Sequence, residues 1–270
     1  MMPPFDFKKA QIESQRCLFC YDAPCVQACP TGIDISSFIR KISTENFKGA
    51  AKDILSQNIM GGTCARVCPV ETLCEEVCVR KTWENRPVPI GGLQRFATDL
   101  FFDSSGSSNK ASLKIFERKS PTGHKVAVVG AGPAGLSCAH RLALQGHSVI
   151  IFEAKPKAGG LNEYGLAPYK MTDNWAQREI DFIFDIGGIE IRFEQQLGRD
   201  FTLSALQKQY AAVFLAIGLN STNTLNIEGE DSQGVVNAVD SISQIRQSKD
   251  FREPPFAVPQ KALVIGGGNT

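Results

Sequence analysis

Apolar residues recur at spacings of three and four over residues 35–42 and 47–55, the period of an amphipathic helix. A further helical pattern runs over 93–102, behind the pair Gly91-Gly92. Strand-like alternation is almost absent before residue 103, so residues 1–103 read as an all-α domain whose cysteines sit on loops. The polar, Gly/Ser-rich stretch 103–109 reads as a loop, and 104–124 as the linker to a second domain.

From Lys125 the pattern changes. Residues 125–129 are a short apolar run, followed by a glycine-rich turn and a helix-period segment to about Gln145; residues 148–152 are a second buried strand that closes a β-α-β unit. A helix is expected over 173–186, with Thr172 as N-cap and Gly187-Gly188 as its stop. Further strands are expected over 189–193, 211–217 and 261–265, the last running into Gly266, Gly267 and Gly268.

Composition narrows the class. Apolar residues make up 43% and charged residues 21%, an ordinary globular balance. With 29 Lys+Arg against 28 Asp+Glu the net charge is +1, which argues against a nucleic-acid partner. No apolar run approaches the ~18–20 residues of a membrane span, and the opening residues carry no signal-peptide core. A cytoplasmic protein is expected, without a membrane partner.

The cysteines are unevenly placed: eight of nine fall between Cys17 and Cys78. The first group is Cys17, Cys20, Cys25 and Cys29, closed by Pro30; the second is Cys64, Cys68, Cys74 and Cys78. Soft thiolates select zinc, copper(I) or iron–sulfur clusters. Structural zinc takes four ligands, whereas a run closed by Cys-Pro fits the bacterial ferredoxin pattern. Redox disulfides are the remaining alternative. Simple counting allots eight cysteines to two clusters of four ligands. Cys138 lies apart, on the helix-period segment, and reads as an ordinary buried thiol.

Gly130-x-Gly132-x-x-Gly135 follows one strand and opens a helix. The first glycine permits the tight turn, the second lets a pyrophosphate approach the backbone, and the third lets helix pack on strand. Glu153 ends the next strand, where a carboxylate reaches the adenosine ribose. Gly159-Gly160-Leu161 would let a loop pass close to the same dinucleotide. Gly266-x-Gly268 repeats the strand-to-glycine turn and would suit NAD(P), but its helix is missing, so the chain reads as a fragment in which tight nicotinamide binding is expected to fail. The three histidines show neither triad nor metal spacing; His124 and His147 flank strands as solvated turn residues.

Cys17-Leu-Phe-Cys20-Tyr-Asp-Ala-Pro-Cys25-Val-Gln-Ala-Cys29-Pro30-Thr31 closely resembles the N-terminal iron–sulfur domain of the dihydropyrimidine dehydrogenase family, whose bacterial form is a separate NAD-dependent subunit. So do Asn46-Phe47-Lys48-Gly49-Ala50-Ala51, Cys64-Ala-Arg-Val-Cys68-Pro69 and Pro89-Ile-Gly-Gly-Leu-Gln94-Arg-Phe96. The small subunit of glutamate synthase is a cousin of the same architecture. The resemblance implies α/β with an N-terminal all-α domain: a helical double [4Fe-4S] domain, a Rossmann-like FAD-binding domain over 125–260, and the start of a truncated NAD(P)-binding domain over 261–270. It implies one cluster on Cys17, Cys20, Cys25 and Cys78, and a second on Cys29, Cys68, Cys74 and the side-chain oxygen of Gln94, with Cys64 a spare thiol. This disputes the simple count. The glutamate synthase branch would carry a Glu at position 94, so Gln94 favours the pyrimidine branch.

For FAD the resemblance implies Val129, Gly130, Ala131, Gly132, Pro133, Ala134 and Gly135, then Glu153, Gly159, Gly160, Leu161 and Leu197. Lys170 stands where the pyrimidine enzymes place an Arg; it could meet a phosphate as a point charge but lacks the planar fork. Ala216-Ile217-Gly218 looks like the return between FAD and NAD(P) halves, with Gly266 and Gly268 on the NAD(P) side. The implied role is an electron-input module: hydride passes from NAD(P)H to FAD, and single electrons pass through two [4Fe-4S] clusters to a partner chain carrying FMN and iron–sulfur centres. That partner reduces uracil or thymine to the 5,6-dihydropyrimidine. A hetero-oligomer is expected, with no catalytic acid, base or nucleophile in this chain. The alternatives are a glutamate synthase small subunit or a related NAD(P)H:acceptor iron–sulfur flavoprotein and, from another class, a zinc-binding interaction module on a degenerate Rossmann domain.

The ligand sets can be tested directly. Gln94→Ala is expected to perturb one cluster and spare the flavin, and Cys64→Ala to leave both clusters intact, as read by iron per chain and cluster spectra. Loss of a whole cluster's iron in the Cys64 variant would restore the count of eight cysteine ligands.

Overall fold

Two short polar side chains start the central helices of the N-terminal unit. Asp34 accepts the Ser37 N–H and Asn46 the Gly49 N–H, each at 3.0 Å, satisfying donors that a helix leaves open at its first turn. The computed structural model describes residues 3–105, 114–219, 222–248, 250, 253 and 255–266. It divides into two units, residues 1–117 and 118–270.

The helices of the first unit are α1 (Phe7–Gln15), α2 (Pro24–Gln27), α3 (Ile35–Ser43), α4 (Phe47–Gln57), α5 (Gly61–Val67), α6 (Val79–Glu84) and α7 (Ile90–Ser105), with a 3-10 turn at Val70–Thr72. The stripe Ile35, Phe38, Ile39 and Ile42 is buried in one core with Ala50 and Ile54 of α4 and Leu93, Phe96 and Ala97 of α7. Phe7, Phe47 and Phe96 meet edge to face with ring centroids 5.3–5.6 Å apart. Asp53 of α4 takes both Ser37 and Lys41 of α3 at 2.6 Å.

One boundary differs from the sequence reading. Gly91 and Gly92 lie inside the first turn of α7 instead of preceding it, and the helix runs on through residues 103–105, which read as linker. The Gly91 N–H donates to the Glu75 carboxylate at 3.0 Å, which caps the helix from outside its own sequence. The Phe5 ring packs where a side chain at 92 would stand: a methyl there would lie 2.6 Å from it.

The second unit is a four-stranded sheet with flanking helices: β1 (Lys125–Val129), α8 (Pro133–Leu144), β2 (Ser148–Phe152), α9 (Leu161–Tyr164), α10 (Trp175–Phe184), β3 (Ile189–Arg192), α11 (Leu203–Gln209), β4 (Ala212–Leu215) and α12 (Ala238–Gln247). The strands are parallel in the order β3-β2-β1-β4. From β1 the chain steps first to one side and later to the other, so the border of β1 and β4 is a topological switch point, where α/β sheets take ligands at the strands' carboxyl ends. β1 and β2 are buried from their second residue on.

Two expectations fail here. Thr172 does not cap α10: the helix starts two residues later than expected, behind Asp173 and Asn174, both at positive φ, with Asn174 at the cap position. The hydroxyl of Thr172 instead donates to Asp173 at 2.8 Å. The strand expected over 261–265 is not formed; Leu263, Val264 and Ile265 are exposed, and no described segment pairs with them to supply ladder hydrogen bonds. Among the described residues no helix is long and apolar enough to cross a membrane.

Phe38 is fully buried at the centre of the helical core. Phe38→Ala is expected to destabilise this unit by about 3–5 kcal/mol, read from its denaturant midpoint. A loss below about 1 kcal/mol would mean that the core closes over the gap.

Candidate functional site

The thiols of the first unit gather in two groups. Cys17, Cys20, Cys25 and Cys78 line one pocket that opens to solvent. The chain reaches this geometry by turning through left-handed backbone at Phe19 and Ala23 (φ 50° and 32°), while Cys78 comes back to the loop from the start of α6. Burial pushes the Cys25 thiol up to about 11, helped by Cys17 and Cys78, and burial likewise raises Cys17, helped by Cys20 and Cys78. Backbone N–H groups oppose this: Phe19 donates to the sulfur of Cys17, and Val26 to that of Cys25.

Cys29, Cys64, Cys68 and Cys74 form the second group. Cys68 is raised first by its hydrogen bond with the Cys64 thiol and then by burial. Burial pushes Cys74 up to about 12, with Glu75, Cys29 and Cys25 adding to it. Gln94 is buried on α7, and its amide nitrogen donates to the Gly61 carbonyl at 2.7 Å. That bond ties the side chain to α5, the helix that carries Cys64 and ends at Cys68.

Among the described residues no three Cys, His, Asp or Glu side chains are arranged to hold a single metal ion. Grouped thiols are the donor type that iron–sulfur centres take. Thiols held protonated by burial and by one another release their protons when a cation arrives, so metal and thiolate state are coupled.

In the second unit the glycine turn sits at the carboxyl end of β1. Gly130 has φ +103°, and a methyl there would lie 2.3 Å from the Ala216 carbonyl oxygen, just past β4. A methyl at Gly135 would lie 1.9 Å from the Gly130 carbonyl. Gly132 differs: the nearest atom to a methyl there is the Gly160 Cα at 3.9 Å, so packing within the protein does not demand glycine. The room is on the ligand side, in front of the N-terminus of α8, where Pro133 and Ala134 are exposed. Phosphate oxygens are favoured there by the open N–H groups of the helix.

Gly159 and Gly160, both at positive φ, form the second wall. The Gly159 N–H donates to the Ala131 carbonyl at 2.8 Å, and a methyl at Gly160 would lie 2.7 Å from the Gly132 Cα. Glu153 is buried against the same turn: its carboxylate accepts the Ala131 N–H at 2.6 Å and the Lys155 N–H at 2.8 Å. It therefore braces the glycine loop, while each oxygen keeps a further lone pair for a ribose hydroxyl.

The remaining sequence-predicted residues lie further out. Leu161, half exposed, opens α9. Lys170 follows α9 in a turn, its N–H bonded to the Ala167 carbonyl at 2.9 Å. Leu197 packs on the cluster of Val129 and Phe152 under the strand ends. Gly218 (φ +71°) follows the segment that touches Gly130, Gly266 is exposed, and Gly268 lies outside the described residues. Val129 is buried at the end of β1. Cys138 is half-buried on α8, less covered than expected, its thiol raised by burial. None of the histidines joins a thiol group: His140 is buried on α8 and held down to about 4 by burial and then by Arg141, and His147 Nδ1 meets the Thr122 hydroxyl at 2.7 Å.

Sequence reasoning missed the brace behind the second wall. Arg246 of α12 donates to the carbonyls of Glu163, Asn162 and Met171 at 2.7, 3.2 and 3.2 Å. The buried Glu163 carboxylate takes Gln177 at 2.9 Å and Gln247 at 3.1 Å. No local spacing signals a contact between positions so far apart.

The comparisons with known proteins agree with this layout. Residues 1–105 match dihydropyrimidine dehydrogenase domain II, 4Fe-4S cluster, and residues 124–270 match pyridine nucleotide-disulphide oxidoreductase. Over 269 residues the chain is 37% identical to the NAD-dependent dihydropyrimidine dehydrogenase subunit PreT of Salmonella typhimurium and of Escherichia coli, covering all of this chain and 62% of theirs. It is 35% identical over 253 residues to the NADPH-Fe(3+) oxidoreductase subunit beta of Geobacter sulfurreducens, covering 93% of this chain and 36% of that one. The chain thus spans about 62% of the length of the PreT relatives. With a parallel-sheet unit that matches over more than half the chain, and a helical thiol-bearing unit before it, the chain belongs to the pyridine nucleotide-disulphide oxidoreductases that carry an iron–sulfur domain of the dihydropyrimidine dehydrogenase type.

Proposed function

We propose that this chain is the electron-input part of a dihydropyrimidine dehydrogenase. When bound, FAD would take hydride from NAD(P)H and two [4Fe-4S] clusters would carry the electrons singly to a partner chain, whose FMN reduces the C5–C6 double bond of uracil or thymine. The observation that carries this reading is the gathering of cysteines into two separate thiol groups in a chain that also holds a glycine cradle at a switch point. Similarity to PreT supports the pyrimidine substrate.

In this reading Cys17, Cys20, Cys25 and Cys78 hold one cluster, and Cys29, Cys68, Cys74 and the Gln94 oxygen hold the other. The hydrogen bond between the thiols of Cys64 and Cys68 supports leaving one of the two out, and the resemblance makes that one Cys64. The turn from Gly130 to Gly135 and the N-terminus of α8 receive the pyrophosphate, and Glu153 orients the adenosine ribose. Gly159, Gly160 and Leu161 close over the cofactor, with Leu197 beneath the strand ends and Lys170 as a point charge. Gly218 belongs to the return between the FAD and NAD(P) halves, and Gly266 and Gly268 to the NAD(P) side. Similarity to an NADPH-Fe(3+) oxidoreductase subunit favours, as a second reading, delivery of the electrons to a different partner.

Anaerobically purified protein is expected to hold about eight iron, eight acid-labile sulfide and one FAD per chain; zinc without sulfide would sink the reading. Gly135→Ala drives a methyl into the Gly130 carbonyl and is expected to weaken FAD binding at least about tenfold in a flavin fluorescence titration, with iron per chain unchanged. Equal loss of iron would mean that the variant unfolds the chain instead of the cradle.

A further inference from the structure

Beside the pocket of Cys17, Cys20, Cys25 and Cys78 lies a connected set of charges to which cluster ligation assigns no part. Arg80 lines that pocket, and among the described residues lining it Arg80 is the one with a permanently charged side chain. Its Nε donates to the Arg16 carbonyl at 2.8 Å, and its guanidinium pairs with Glu84. Arg16 in turn reaches Glu84 at 3.3 Å and Glu13 at 2.7 Å, and Arg86 closes on the other oxygen of Glu13. Three guanidiniums therefore face two carboxylates in this set, which leaves one positive charge.

The positions of these groups decide where that charge is felt. Arg80 stands two residues beyond Cys78 and lines the same pocket as Cys17, Cys20 and Cys25, so its charge is presented to whatever those sulfurs hold. Its countercharge is turned outward: Glu84 is 42% exposed against 27% for Arg80, so water screens the carboxylate more than the cation. Arg80 cannot swing away freely, because the Arg16 carbonyl fixes its Nε. A guanidinium stays protonated throughout the accessible pH range.

We propose that Arg80 is a tuning residue, a fixed cation that raises the reduction potential of the cluster held by Cys17, Cys20, Cys25 and Cys78. The proposal rests on the reading above that a [4Fe-4S] cluster fills this pocket. One-electron reduction, with reduced flavin as donor, makes the cluster one charge more negative. A nearby positive charge stabilises that reduced form more than the oxidised one. At the second group a neighbouring charge that acts on Cys74 is the carboxylate of Glu75, of the opposite sign.

The test is a redox titration followed by electron paramagnetic resonance on anaerobically purified protein, with iron and sulfide measured on the same samples. Arg80→Gln is expected to keep its iron, to lower the potential of one cluster and to leave the other where it was; Arg80→Lys is expected to hold the potential near its original value. An unchanged potential in Arg80→Gln, or an equal shift in both clusters, would overturn the proposal. Should Arg80→Gln lose iron, Glu84→Gln decides: removal of the countercharge must raise the potential of that same cluster, and no rise overturns the idea. Absence of iron and sulfide from the unsubstituted chain would be a different failure, that of the pocket's assignment itself.

Discussion

Thiols crowded into one half-buried volume resist ionising, since each thiolate would repel the next and water is too scarce to screen them. The helical unit is organised around that repulsion. Cys25 and Cys74 are raised above their ordinary range by burial first, then by neighbouring sulfurs at Cys25 and by Glu75 ahead of the sulfurs at Cys74, so the polypeptide alone would keep them as thiols. What it supplies in advance is everything a cation would otherwise have to organise. The two left-handed turns at Phe19 and Ala23 bend the loop, backbone N–H groups point at sulfur, and the packed core of α3, α4 and α7 holds the loops in place. Binding of a cationic centre then lowers the repulsion and stabilises the fold together.

The dinucleotide-binding unit solves a steric problem. Three stretches of backbone must converge at the carboxyl ends of β1 and β4, and each crossing leaves no space for a side chain. Gly130 meets Ala216, Gly135 meets Gly130, and Gly160 meets Gly132. At Gly132 alone the space in front stays open. The crowding elsewhere keeps that opening in one shape, and Glu153 locks the loop through the Ala131 N–H. Positioning and ligand room thus come from the same few residues.

How much of this could be read from the chain follows from the range of each interaction. The stripe of α3 and α4, the buried runs of β1 and β2 and the glycine turn are local signals, and their periods are legible. Where the outcome depends on a distant partner, local reading errs. Gly91 and Gly92 look like a helix breaker, yet Glu75 and Phe5 make them the first turn of α7. Thr172 looks like a cap, but two residues at positive φ move the start of α10. The run at 261–265 looks like a strand, yet none of the described segments pairs with it. Division of the cysteines into groups is of the same kind, because the spacing alone does not say that Cys78 returns to the first loop.

The brace on the second wall carries a consequence for how the protein is made. Arg246 grips the backbone of α9 at residues 162 and 163 from 83 positions further along the chain. During synthesis at ~5–20 residues per second, the glycine cradle leaves the ribosome several seconds before its brace exists. In that interval the wall formed by Gly159 and Gly160 already has the Ala131 contact and Gln177, but not the grip of Arg246. The thiol-bearing helices, whose core closes by residue 105, are complete well before that. The second wall therefore gains this support late in synthesis, well after the thiol-bearing unit is complete.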